Sequence, residues 1–319
     1  MRPYDRTRGR TMNARQIEAF RAIMRCGTLT GAAQVLAVSQ PALSQLLLHA
    51  EDQLGFKLFQ RQRGRLVPTP EAEQLLPEAE RLHRDIEGFR RFAVDLRRGK
   101  AGSVRLACSA PPALSFVPRA LHAFREASPE VRLVSYVVPV DVLSEMLGRG
   151  EADLGVAMSD RPRPLIRVET VGQSEIACVL PEGHPLAARQ AVSAAELQRE
   201  TLISYRSDSL PGELLGRALA QQGVRFRPQI EIDVSVIALS FVQQGIGIAL
   251  VDGLIPWGGY SGLVVRPFRP RVALPITLVT GTRKPLSLAQ DKLRGQLREA
   301  LRAYAGSAAA RGLVRATSA

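Results

Sequence analysis

Residues 39–54 read SQPALSQLLLHAEDQL. Ser39 is a good helix N-cap, and Pro41 sits where a first helical turn tolerates it. The stretch predicts a helix from Gln40 to about Leu54. Projected at ~100° per residue, Ala42, Leu43, Leu46, Leu47, Ala50 and Leu54 share one side. Gln40, Pro41, Ser44, Gln45, Leu48 and His49 fall on the other. That outer face is short-chained and rich in hydrogen-bonding groups, which is what a helix entering a DNA major groove presents.

The flanks support this reading. Upstream, Ile17, Phe20, Ile23 and Met24 recur at helical spacing, and Gly27 ends that helix. Thr28 or Thr30 then caps a short second helix with Ala32, Ala33, Val35 and Leu36 on its buried side. Downstream of Gly55, FKLFQRQRGRLVPT (56–69) predicts two short strands around a basic turn, Arg61 to Arg65. Residues 12–69 therefore read as an all-α winged helix-turn-helix whose wing is this hairpin. Gln40, Pro41, Ser44 and Gln45 are placed against base edges, where glutamine pairs bidentately with adenine. Arg61, Arg63 and Arg65 are assigned to phosphates or the minor groove, and Thr30 and Thr69 to phosphates.

Four pieces carry a family likeness: AFRAIMRCGTLTGAAQVL (19–36), VSQPALSQ (38–45), EDQLGFKLFQR (51–61) and GRLVPT (64–69). Together they resemble the LysR-type transcriptional regulators. Gln45 departs from the arginine common there, Ala50 from a leucine and Glu73 from a glycine. The resemblance implies that residues 70–100 are a linker helix through which two chains pair. Its apolar stripe contains Leu75, Leu82, Ile86 and Phe89, with Leu76, Ala79 and Phe92 beside them. The alternative is that the stripe packs on the chain's own domain. Pro77 is awkward in a long helix and suggests a kink or restart.

From residue 101 the pattern changes to alternating strands and helices, which predicts an α/β domain with parallel strands. ADLGVAM (152–158), CVLPEGHPLA (178–187) and VQQGIGIALVD (242–252) extend the resemblance. It implies a two-lobed, periplasmic-binding-protein-like effector domain over residues 101–305, with lobe I at about 101–174 and 275–305 and lobe II at about 175–274. The crossings are expected near Gln173–Ile176 and Val272–Ile276. In such folds ligands bind at the carboxyl ends of strands. Ser109, Ala110 and Ser115 would then line one wall, Ser174 and Glu175 the first crossover, and Tyr205 and Ser207 the second lobe. Asp252 would hold an ammonium or, alternatively, cap a turn. The ligand class implied is an amino acid or a derivative, because MNARQIEAF (12–20) and GRLVPTPEA (64–72) look like the opine and basic-amino-acid regulators. Residues 1–11 and 306–319 are expected to be a disordered arm and a disordered tail.

Charge agrees with a polyanionic partner. The 319-residue chain carries a formal +13; residues 1–100 hold +7, residues 101–282 balance at 17 of each sign, and residues 283–319 hold +6. A basic N-terminal segment suits double-stranded DNA through counterion release. Three scattered cysteines and four distant histidines spell neither a disulfide framework nor a metal site. No cofactor or catalytic residue is expected, and no apolar run approaches a membrane span. The basic N-terminus lacks the apolar core of a secretory signal, so a cytoplasmic location is expected. The resemblance further implies self-association as a dimer of dimers on an interrupted palindrome, and RNA polymerase as a partner if the protein activates. Two other functions stay open: an architectural DNA binder without ligand control, and an α/β enzyme. Against the enzyme, Gly245-Ile-Gly247 lacks the third glycine of a dinucleotide fingerprint and follows a helix.

Overall fold

The computed structural model describes residues 12–62, 65–97, 102–255 and 257–317. The arm 1–11 and Arg63 lie outside them. The chain divides into two compact units, Met1–Val94 and Asp95–Ala319.

In the first unit α1 (Ala14–Cys26), α2 (Leu29–Val35) and α3 (Gln40–Leu54) precede a hairpin of β1 (Phe59–Gln62) and β2 (Arg65–Pro68), and α4 (Pro70–Arg97) follows. Local chemistry sets each boundary. Asn13 and Gln16 form a reciprocal capping box on α1, Thr28 caps α2 and Ser39 caps α3. Gly27 and Gly55 end α1 and α3 at positive φ, +66° and +78°, where an L residue would be strained. Phe20, Ile23, Leu43 and Leu58 are fully buried and fix the three helices together. Burial on α3 begins at Leu43, so Ala42, placed on the inner side by projection, is exposed. Val35, expected on the buried side of α2, is exposed as the last residue of that helix, in which only Ala32 and Ala33 are buried. Helix α4 continues through Pro77 without a break.

The second unit opens with β3 (Ser103–Cys108), α5 (Ala110–Leu114), α6 (Val117–Ala127), β4 (Arg132–Val137), α7 (Val140–Gly148) and β5 (Leu154–Ala157). Next comes β6 (Ile166–Pro181), then β7 (Val192–Ser193), β8 (Leu202–Tyr205), α8 (Leu210–Ala220), β9 (Ile230–Ile232), α9 (Ser235–Gln243) and β10 (Ile248–Asp252). The chain closes with β11 (Leu263–Arg269), β12 (Ala273–Gly281), α10 (Leu288–Ala305) and β13 (Val314–Ala316). Strands β3, β4 and β5 are parallel in one lobe, and β8, β9 and β10 in the other. The long β6 belongs to both. It pairs antiparallel with β12 as far as Glu175, and with β10 and β11 from Ile176 and Ala177 onward. The lobes therefore exchange along β6 at Glu175–Ile176, and the return crossing runs through residues 270–272 between β11 and β12.

The tail corrects the expectation of disorder. Residues 314–316 form β13, antiparallel to β6 at Gly172–Ser174. Leu313 O accepts from Glu175 N at 2.7 Å, and Thr317 N donates to Val171 O at 2.9 Å. Leu313 is buried in the lobe II core with Val251, Ile255 and Trp257. The Arg311 guanidinium lies 5.7 Å from the centre of the Trp257 ring, and Arg315 pairs with Glu175 at 3.2 Å. Composition misled because the tail's partner lies far back in the chain. Gly172 makes the approach possible, since a Cβ there would meet Arg315 O at 2.5 Å. Leu313→Asp is expected to lower the stability of the second unit by about 3 kcal/mol, because it buries an unpaired charge among apolar neighbours. Denaturation followed by the fluorescence of Trp257, the single tryptophan, checks this; an unchanged midpoint would mean the tail is not anchored.

Candidate functional site

The first surface is the outer face of α3. Gln40, Pro41 and Gln45 are exposed and Ser44 is half-buried; Leu48 and His49 complete the face. Thr30 is exposed on α2 and Arg61 on β1, while Arg65 opens β2. Thr69 is different. It is buried, its hydroxyl donates to Lys57 O at 2.8 Å, and it accepts from Ala72 N at the start of α4. The structure therefore gives Thr69 a capping role that joins wing and linker helix. A residue absent from the sequence reading holds the wing in place. Glu51, nearly buried on α3, accepts from Leu58 N at 2.9 Å and Phe59 N at 3.2 Å, and pairs with Lys57 at 2.7 Å. One carboxylate thus fixes the start of the hairpin to the recognition helix. A glutamate inside a helical apolar stripe was the available signal. On the far side, Arg21 of α1 pairs with Glu80 of α4 at 2.8 Å.

The second place is where the carboxyl ends of the lobe strands meet. Ser109 follows β3 at the start of α5; it is nearly buried, and among the described residues its Oγ has no hydrogen-bond partner. Ala110 follows it, half-buried, and Ser115 donates to Pro111 O. Ser174 is fully buried and accepts from Gly253 N at 2.8 Å, tying β6 to the end of β10. Glu175 lies between Arg271 and Arg315. Ser207 is exposed on the loop after β8.

Tyr205 and Asp252 are brought together beneath the surface. The Tyr205 hydroxyl donates to Asp252 Oδ2 at 2.6 Å and accepts from Asp252 N at 3.1 Å. Asp252 Oδ1 accepts from Leu254 N at 2.9 Å. Burial pushes the Asp252 carboxyl above its usual range, against the hydrogen bonds from Tyr205, Ser235 and Leu254 that favour its charge. Burial and the adjacent carboxylate raise Tyr205 well above the ordinary phenol value. Asp252 is thus satisfied from within the protein and reaches no surface.

Charged side chains bridge the lobes nearer the surface. Arg161, beyond β5, pairs with Glu213 in the first turn of α8 at 2.6 Å. Each holds the other charged: Glu213 raises the guanidinium pKa, and Arg161 lowers the carboxyl. The sequence reading missed this pair, whose members are 52 positions apart. The buried thiols offer no nucleophile; burial lifts Cys108 to about 12 and raises Cys178 further. Among the described residues no cluster of three metal-ligating side chains occurs, and no helix is long and apolar enough to cross a membrane.

Comparison with known proteins matches this architecture segment by segment. A profile described as "Bacterial regulatory helix-turn-helix protein, lysR family" covers residues 14–73, and one described as "LysR substrate binding domain" covers residues 97–302. The chain belongs to the LysR family. It is 32% identical to the regulatory protein NocR of Agrobacterium fabrum over 293 residues, spanning 92% of this chain and 98% of NocR. It is 32% identical to the octopine catabolism/uptake operon regulatory protein OccR of Rhizobium meliloti, over 81% of this chain and 85% of OccR. The fold matches full-length CbnR in complex with its target DNA, at a TM-score of 0.69 and 20% identity, over 91% of this chain and all of CbnR. This LysR-family chain is a ligand-responsive, DNA-binding transcriptional regulator, with a winged helix-turn-helix head and a two-lobed α/β effector domain. Its relatives are regulators and not enzymes, which sets the enzyme alternative aside.

The buried aspartate gives a pH test. A carboxyl whose folded pKa is raised contributes most below its unfolded value near ~3.9, and that contribution is lost as pH rises through the folded value. Asp252→Asn removes the titration. Wild-type stability is therefore expected to fall relative to the variant as pH rises from about 4 toward 7. Urea denaturation of both proteins across that range, read by Trp257 fluorescence, measures the gap; a gap independent of pH would contradict the raised value.

Proposed function

We propose that the protein acts in the cytoplasm as a dimer of dimers that reads an interrupted palindrome. An amino acid or amino-acid derivative between the lobes changes its DNA contacts, and RNA polymerase is the partner wherever it activates. What carries this reading is that one chain joins the exposed, glutamine-rich face of α3 to a domain whose lobes meet around a shared strand. Gln40, Ser44 and Gln45 address base edges with Pro41 beside them. Arg61, Arg63, Arg65 and Thr30 address the backbone. Thr69 serves indirectly, by holding the wing. In the effector domain the ligand meets Ser109, Ala110, Ser115 and Ser207, while Ser174, Glu175, Tyr205 and Asp252 shape the floor behind them. The name of OccR, which refers to the octopine operon, supports the choice of ligand class.

Leu82 and Phe89 support self-association. They are 40% and 71% exposed on α4, with Leu75 and Ile86 half-buried. A long charged helix with large apolar side chains in solvent fits a second copy of itself. Charged substitutions at Leu82 and Phe89 are expected to yield monomers by sedimentation at micromolar concentration. A wild-type protein that is itself monomeric there would reject the dimer.

For DNA, Gln45→Ala is expected to alter preference at particular base pairs, each lost pair costing ~1–3 kcal/mol of discrimination. Arg65→Ala is expected to weaken binding to all sequences and reduce the salt slope by about one. Binding selections and salt titrations separate the two effects. Wild-type behaviour in both variants would place the contact surface elsewhere on the head.

A further inference from the structure

Arg161 and Glu213 bring opposite charges from the two lobes to one point. Arg161 stands on the turn that follows β5, and that turn is held firmly. Arg161 N donates to Ser159 Oγ at 3.3 Å, and Ser159 O accepts from the buried Thr277 hydroxyl of β12 at 2.9 Å. Glu213 lies in the first turn of α8, just after the carboxyl end of β8. Both side chains are partly open to solvent, Arg161 at 45% and Glu213 at 33%. An ion pair of this exposure is weak and exchangeable.

The pair is also asymmetric. Glu213 has a second cation on its own helix, Arg217 at 3.4 Å. The neighbouring acid Asp141 is engaged by Arg163, and Asp160 and Asp141 act on Arg161 only at longer range. If Glu213 were displaced, it could remain paired with Arg217. Arg161 would need a new carboxylate, held in the same place between the lobes.

We propose that Arg161 is the anchor for an effector carboxylate, and that Glu213 is that carboxylate's stand-in when no effector is bound. This rests on the reading of the effector as an amino acid or derivative. A ligand acid exchanges with Glu213, Glu213 turns to Arg217, and the lobes become bridged by the ligand in place of the protein's own ion pair. Guanidinium geometry favours a carboxylate over a neutral amide or a cation, because it offers two parallel donors. Ligands that lack a carboxylate gain nothing from the exchange, so the pair acts as a selectivity filter. It also supplies the difference in affinity between two states that any ligand-driven change requires.

The two halves of the pair should respond in opposite directions. Calorimetry on the full-length chain uses octopine, L-arginine and agmatine, the last being arginine without its carboxylate. Arg161→Gln is expected to weaken octopine or L-arginine binding by about tenfold or more. Glu213→Gln, which removes the internal competitor, is expected to tighten it by about two- to fivefold. Arg161→Lys falls between, because an ammonium cannot pair bidentately. Agmatine binds no tighter to Glu213→Gln than to wild type. If the pair were only a structural clasp, Arg161→Gln and Glu213→Gln would shift affinity in the same direction, since either breaks it. That result, or unchanged affinity in both, overturns the anchor while leaving the amino-acid reading intact. If wild type binds none of the three probes, the ligand class fails and the anchor fails with it.

Discussion

Between Glu175 and Ile176, β6 changes partners without ending. Its first half is held by β12 and β13, its second by β10 and β11. Residues 176–180 are fully buried, so the strand is anchored on both sides of the switch. Any change in the angle between lobes must be absorbed here and in residues 270–272, because the sheets on either side are tied by their own ladders, that of β6 with β12 carrying one register shift at Ile276/Thr277. The groups around the switch are placed to resist that change. Ser174 holds Gly253, Glu175 is set between two arginines, and Leu313 packs against Gly253, where even a Cβ would lie only 2.5 Å away. Leu313 and β13 (Val314–Ala316) therefore lie against β6 beside the switch, as a third segment of chain at the hinge.

A comparable economy operates in the head. The recognition helix and the start of the wing share one apolar core through Leu43, Leu47, Leu58 and Phe59. The Glu51 carboxylate adds a directional tie by receiving two backbone N–H groups from the start of the hairpin. Those donors would otherwise be buried without partners, at a cost of about 1–3 kcal/mol each. Thr69 does the same at the other end of the hairpin, closing β2 onto Lys57 while capping α4. The outer face of α3 and the wing are thereby held as one surface.

The sequence was legible where local periodicity and capping decide the outcome. Ser39 caps α3, Gly27 and Gly55 stop their helices, and the basic hairpin forms where two short strands were expected. The two-lobed domain was legible through family likeness more than through pattern. What stayed hidden is non-local. The strand at 314–316 has the composition of a disordered tail and becomes a strand only because β6 offers an edge at Gly172 to Ser174. Asp252 read equally well as a ligand for an ammonium and as a turn cap. The turn reading holds, since Asp252 Oδ1 accepts from Leu254 N. Its other partner, Tyr205, is 47 residues away, and burial, which the sequence does not state, takes its carboxylate out of reach of a ligand ammonium. Arg161 and Glu213 each look like ordinary surface charges until the lobes place them side by side.

The neutrality of residues 101–282 acquires meaning from this placement. Balanced charge could arise from scattered, solvated side chains, but around the strand ends charges are paired: Arg161 with Glu213, Arg163 with Asp141, Arg206 with Asp208, and Glu175 with Arg271 and Arg315. A charged ligand entering among such pairs does not fill an open electrostatic well. It must exchange one partner for another, and the exchange costs little when the displaced group keeps a second partner nearby. The DNA-binding end follows the opposite rule. The first 100 residues carry an excess of seven positive charges, so binding there adds to an existing field and falls with salt. The paired charges lie in the balanced stretch 101–282 and the unpaired excess at the two ends, +7 over residues 1–100 and +6 over residues 283–319, so exchange suits the first and attraction to a polyanion suits the basic N-terminal segment.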